Sequence, residues 1–169
     1  MGRKGTARRA PTPNNERMRR KTMPMIHLTH KLENCQPALT TLTLPWEQRI
    51  RSRLRVVLDS GDEAVLFLER GTVLGDGDLL TSEDGTVVRV IAADEKLSSV
   101  TSNDPLKMAK ACYHLGNRHT PLEIAEGHVR YLHDPVLDDM IRGLGLDVSI
   151  EQAPFQPEAG AYGGHHHHG

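Results

Sequence analysis

The side chains best able to do chemistry in this 169-residue chain are imidazoles. Ten histidines occur, and four of them, His165, His166, His167 and His168, follow a Gly-Gly pair near the end of the sequence. Two more, His114 and His119, lie in "CYHLGNRHTPLEI", around what reads as the stop of a helix. Neutral imidazole is a ligand that Zn2+, Cu2+ and Ni2+ share, so two imidazole-rich places in one chain point to divalent metal binding. Taken alone, a His beyond a helix is commonly a cap or a surface residue, and a charged His in the last turn is favoured by the carbonyl dipole. The quartet tips the reading toward metal. It follows "PEAGAYGG" and precedes Gly169, which reads as native rather than as a purification tag, commonly six histidines long.

Other chemistries lack their parts. The chain has no HExxH, no GxSxG, no phosphate-loop GxxxxGK and no GxGxxG, which removes the minimal elements of zinc proteases, serine hydrolases, nucleotide hydrolases and dinucleotide enzymes. Asp138 and Asp139 are neighbours on a helix, where successive side chains diverge by about 100° and cannot share a proton; a solvated first turn accounts for them. Cys35 and Cys112 form no CxxC pair, and Cys112 reads as a small core residue. His27, His30 and His128 read as strand-surface residues. No enzyme is expected.

The bulk properties set the setting. No window approaches the roughly 18 apolar residues of a membrane helix, and the N-terminus lacks the apolar run of a secretory signal. The cytoplasm is the expected compartment, with an organellar transit peptide as the alternative. Net charge is −1, but residues 1–24 hold eight Lys or Arg and one Glu, so they carry +7 and the remainder −8. Such a basic, apolar-poor segment is expected to be disordered, and Met23 or Met25 is an alternative start. Residues 25–93 carry only two aromatics that bear on base stacking, Trp46 and Phe67, too few for a nucleic-acid surface.

Two differently built regions must position the histidines. In "IHLTHKL" Ile26, Leu28 and Leu32 share a face with His30, the period of a half-buried strand. In the run around "IRSRLRVVL", Ile50, Leu54, Val56 and Leu58 alternate with Arg49, Arg51, Arg53 and Arg55. The arginines either grip an anionic partner or form a solvated, edge-protecting face. With the turns at Gly75–Asp78 and Asp84-Gly85, residues 25–93 read as a small all-β domain. Beyond it, Asn103 and Asp104 offer cap oxygens and Pro105 suits a first turn. Leu106, Ala109, Cys112, Tyr113 and Leu115 then follow at helical spacing, and Gly116 is placed to close the helix in a left-handed cap. Two short strands follow, then a helix capped by Asp134-Pro135 with Leu137, Met140, Ile141 and Leu144 on one side, then a last strand. Residues 94–156 thus read β-α-β-β-α-β, the ferredoxin-like order, and the fold class is α+β. Residues 157–169 form the expected flexible, His-containing tail.

The segments "KACYHLGNRHTPLEI", "DPVLDDMIRGLGLDV" and "PFQPEAGAYG", together with the closing histidines, resemble the UreE family of urease accessory proteins, nickel metallochaperones. The likeness runs over residues 25–169. It implies a β domain similar to the peptide-binding domain of DnaJ-type chaperones, then a ferredoxin-like metal-binding domain that forms a homodimer. By resemblance, His119 provides the principal Ni2+ ligand and meets its symmetry mate across the dimer, while His114 and the tail histidines serve further or weaker binding. Some members carry His-Asp-His before the VLDDM helix; here the segment is His133-Asp134-Pro135, so His133 lacks the second imidazole. The implied partners are the GTPase UreG and the apo-urease maturation complex, with no nucleic acid and no membrane. Nickel is cargo, and Zn2+ or Cu2+ would bind in vitro. The alternative is a peptide- or partner-binding module that buffers Zn2+ or Cu2+. A metal hydrolase, the third class, lacks a carboxylate base beside the histidines.

Overall fold

The computed structural model describes residues 25–159; the basic segment and the four terminal histidines lie outside the described residues. Two domains follow one another, all-β and then α/β, in an α+β chain. The first holds β1 (Ile26–Leu32), β2 (Thr40–Leu44), the one-turn helix α1 (Trp46–Arg49), β3 (Arg53–Val57), β4 (Glu63–Phe67), β5 (Leu79–Ser82) and β6 (Val87–Ala92). Its six-stranded sheet has the order β2-β6-β5-β1-β4-β3, with β1/β4 and β2/β6 parallel. The alternating apolar residues converge on one interior, where Leu28, Leu42, Leu66, Leu74, Leu80, Val88 and Val90 lose all contact with solvent. Each such side chain contributes about 1.5–3 kcal/mol of burial. The two edge strands approach where the Asp59 amide donates to the Thr41 carbonyl at 2.9 Å, which rolls the sheet toward a barrel. Thr41 and Thr43 also donate their hydroxyls to the Asp59 carboxylate, and the Thr41 bond holds that carboxyl below its usual range.

Two expectations for this domain are corrected. His30 is exposed, as its reading as a strand-surface residue has it, but it does not share the Leu28 face, because the β1/β5 register shifts between Leu28 and His30 and breaks the period of two. The arginine row does not extend back to Arg49: that residue ends α1, where a helical turn aims it inward, and it is wholly buried while Ile50 is 46% exposed. Arg51, Arg53 and Arg55 are exposed as expected.

The second domain comprises β7 (Asp94–Thr101), α2 (Pro105–Gly116), β8 (Glu123–Ala125), β9 (His128–Leu132), α3 (Pro135–Gly143) and β10 (Ser149–Pro154), in the antiparallel order β10-β7-β9-β8. This is the ferredoxin-like arrangement. Asp104 caps α2 by accepting from the amides of Leu106 and Lys107, and Asp134 caps α3 through Val136 and Leu137, each with proline in the first turn. The inward stripe of α2 is Met108, Ala111 and Leu115 with half-buried Cys112, packed among Val100, Val129 and Tyr131. Of the expected stripe, Leu106 and Tyr113 instead stay 63% and 65% exposed, and Ala109 is exposed too. Both sets satisfy a 3.6-residue period, and packing on β9 selects one. α3 buries Leu137 and Ile141, with Met140 and Leu144 packed alongside, as its pattern implies.

Arg49 joins the domains. Its guanidinium donates to the carbonyls of Leu74 and Phe155 and to Gln156 Oε1, and its ring neighbour Trp46 meets Phe155 edge-on at 6.2 Å. Burial pulls this guanidinium below its ordinary range, opposed by the carboxylates of Glu95, Asp76 and Asp78.

Candidate metal centre

The antiparallel registers gather several segments at one end of the second sheet. Pro154 faces Asp94, Leu97 faces Leu132, and Glu123 pairs with Arg130. The start of β7, the end of β9, the start of β8 and the end of β10 therefore lie together. The loop after α2, which holds His119, and the junction before α3, which holds His133, both open at this end.

His119 is the one non-glycine residue with positive φ among the described residues, at 57°. Its amide donates to Gly116 at 2.9 Å and the Thr120 amide to Leu115 at 3.4 Å, the paired bonds of a Schellman helix stop. The left-handed position expected at Gly116 thus falls on His119 instead, because the helical turn continues through Asn117 and Arg118 before the chain reverses. A glycine is usual at such a position; an imidazole there accepts backbone strain of the kind that clusters at functional sites. His119 is exposed. His114 is exposed in the last turn of α2, its ring edge-on to Tyr113 at 5.3 Å.

His133 differs from both. Its ring is 21% exposed, and Nδ1 lies 3.2 Å from Asp138 Oδ2 and 3.1 Å from Ser98 Oγ. Asp138 is not in a solvated turn, as its sequence setting implies, but 1% exposed. The inward face of α3 brings it beneath β7 and β9, where Ser98 Oγ donates to it at 2.6 Å and Tyr131 Oη at 2.8 Å. Burial and the Asp138 carboxylate push the Tyr131 hydroxyl well above the ordinary phenol range. The sequence signal for this cluster was present but ambiguous: Asp138 is one residue from Leu137 and three from Ile141, on the apolar side of α3. Burial likewise raises the Cys112 thiol, consistent with a core role. Of the strand histidines, His27 is exposed and His128 Nε2 contacts Ser99 Oγ at 2.6 Å.

Among the described residues no three His, Cys, Asp or Glu side chains converge on a common point that would hold a metal ion. His114, His119 and His133 are brought to one region without being joined into one cage. The chain after β10 returns to that region: the Gln156 amide donates to Glu123 Oε2 and the Glu158 amide to the Leu122 carbonyl at 2.7 Å. Residues 157 and 158, expected to belong to a loose tail, are docked three positions from the His119 loop. His165, His166, His167 and His168 lie outside the described residues.

The chain is thus a two-domain protein, a barrel-like β domain followed by a ferredoxin-like domain with exposed histidines at one end. Residues 25–93 match the family described as UreE urease accessory protein, N-terminal domain, and residues 95–169 the C-terminal domain of the same family. The chain is 59% identical over 140 residues to the urease accessory protein UreE of Alkalilimnicola ehrlichii, covering 83% of this chain and 86% of that one. It is 55% identical to the UreE of Vibrio parahaemolyticus, covering 80% and 88%, and 50% identical to that of Escherichia coli O157:H7, covering 85% and 94%. The chain belongs to the UreE family of urease accessory proteins. No helix among the described residues is long and apolar enough to cross a membrane.

Proposed function

We propose that this protein is a nickel-binding metallochaperone that carries Ni2+ to apo-urease during assembly of its metallocentre, acting as a cytoplasmic homodimer with the UreG GTPase as its partner. His119 is the principal ligand, paired with the same residue of a second copy, and the tail histidines supply further imidazoles. The observation that carries the reading is the strained, exposed His119 at the stop of α2, in a chain whose family assists urease. One exposed imidazole holds a divalent cation weakly, so ligands must come from a second copy or from the tail.

The docked strap supports the second source. From Glu158 to His165 the chain takes seven steps, a reach of at most roughly 25 Å. That suffices to bring the quartet over the His119 loop and raises its local concentration to the ~mM range. A site assembled from few, exposed imidazoles exchanges metal readily, whereas a closed four-ligand site of the structural kind retains it. His114 and His133 add weaker binding nearby. Nickel is delivered as substrate, and Zn2+ or Cu2+ would compete in vitro by the ordinary affinity order.

Calorimetry with Ni2+ tests the reading. His119→Ala should abolish the tightest site, of one metal per two chains, and deletion of residues 165–168 should lower capacity while leaving the dimer intact. Unchanged affinity and stoichiometry in His119→Ala would refute the assignment. A second reading, a partner-binding module that buffers Zn2+ or Cu2+, is favoured by the groove of about 320 Å3 beside the β2 and β3 edges, lined by Leu44, Arg55, Val57 and Glu63. Urease activation that proceeds equally with wild-type and His119→Ala protein would favour it.

A further inference from the structure

The buried carboxylate of Asp138 has no part in the function as drawn so far, yet its protons admit one arrangement while it is ionised. Ser98 has a single hydroxyl proton and gives it to Asp138 Oδ1 at 2.6 Å; Tyr131 gives its proton to the same oxygen at 2.8 Å. Neither hydroxyl then has a hydrogen for His133. With Nδ1 of that ring 3.2 Å from Asp138 Oδ2 and 3.1 Å from Ser98 Oγ, both acceptors, Nδ1 must carry the ring hydrogen. The lone pair is left on Nε2. The backbone also fixes the ring, since the His133 amide donates to the Lys96 carbonyl at 3.0 Å and the Asp134 cap follows immediately.

We propose that Asp138 is a positioning residue for metal binding: it holds His133 in the Nδ1–H form and offers Nε2, as a pre-oriented ligand for a borderline divalent cation, at the end of the domain that also carries His119. This rests on the reading of His133 as a ligand. A carboxylate behind a ligating imidazole fixes its tautomer and raises its basicity, and loss of such a partner typically costs 10–100-fold in metal affinity. The arrangement also gives Pro135 a meaning. It serves the first turn of α3, so His133 works as a single imidazole made competent by orientation rather than as one of a pair.

The test uses Ni2+ and the full-length chain with His114, His119 and the four tail histidines replaced by alanine, so that His133 is read without the other proposed ligands. Asp138→Asn keeps the size and an acceptor for Ser98 and Tyr131, but turns an N–H toward Nδ1, which forces the ring hydrogen onto Nε2. Long-range 1H–15N spectra should show the Nδ1–H pattern for His133 in the parent and the Nε2–H pattern in Asp138→Asn, with Ni2+ affinity reduced at least 10-fold. Ser98→Ala should retain the parent tautomer and affinity. An Nε2–H pattern in the parent chain would overturn the proposal without any variant, should Asp138→Asn fail to fold. So would a Ser98→Ala variant that switches tautomer, or an Asp138→Asn variant that binds Ni2+ as the parent does. If His133→Ala leaves Ni2+ binding unchanged in this background, it is the ligand reading of His133 that fails, a separate outcome.

Discussion

Substituting His119 separates what the fold needs at the helix stop from what the metal needs. At φ 57° a residue with a Cβ sits in the left-handed region, at a cost of roughly 1–2 kcal/mol relative to glycine. Glycine relieves that strain but brings more freedom to the unfolded chain, which takes back about 0.5–1 kcal/mol. His119→Gly should therefore be about 0.5 kcal/mol more stable than wild type, while His119→Ala keeps the strain and gains nothing. Both should lose the tightest nickel site proposed at His119. For a chain of this length a gap of about 0.5 kcal/mol between the glycine and alanine variants is a Tm difference of roughly 1–2 °C. Urea and thermal melts of the metal-free proteins, with amide exchange at Thr120 as the local readout of the Leu115–Thr120 bond, measure it. Stability and binding should thus rank in different orders. A glycine variant less stable than the alanine variant would show that the imidazole is held by packing at the turn, and would refute the account of a strained residue kept for its chemistry.

Arg49→Ala should destabilise the chain by about 2–4 kcal/mol in urea melts, because the carbonyls of Leu74 and Phe155 and the Gln156 amide oxygen lose a buried donor; a loss below 1 kcal/mol would contradict the lock. Asp59→Asn should lower stability at neutral pH. Since the folded carboxyl lies below its usual range through the Thr41 hydroxyl, its contribution is complete above the unfolded carboxylate pKa and disappears as pH falls through the folded value. Melts at pH 7 and in acid that show a constant difference would exclude this. Nickel affinity should fall as pH drops through the ordinary imidazole range of about 6.5, because ligation requires the neutral ring; a flat isotherm between about pH 5 and 7.5 would count against imidazole ligation.

Local chemistry made much of the architecture readable. Asp104-Pro105 and Asp134-Pro135 are complete helix starts in themselves, so both long helices begin where the residues place them. The β-α-β-β-α-β order followed from turn residues and changes of period, and the family likeness agrees with it. The pattern is ambiguous where two solutions satisfy it equally. Met108, Ala111 and Leu115 compete with Leu106, Ala109 and Tyr113 for the inner face of α2, and only the surface of β9 chooses. Arg49 read as one of an alternating row because the Trp46–Arg49 turn is too short to announce itself. Asp138 read as solvated because its three hydrogen-bond partners, Ser98, Tyr131 and His133, come from three other places in the chain.

The sequence by itself determined which side chains are able to ligate a metal, since imidazole ligation depends on residue type, and it determined the order of elements, since capping and periodicity act over a few positions. Only the tertiary structure decided that His119 occupies the left-handed turn, that Glu158 is pinned beside Leu122, and that Asp138 stands buried behind His133. Those are contacts between residues distant in the chain, fixed by strand register and by which helix face finds a core, and no window of neighbouring residues contains them.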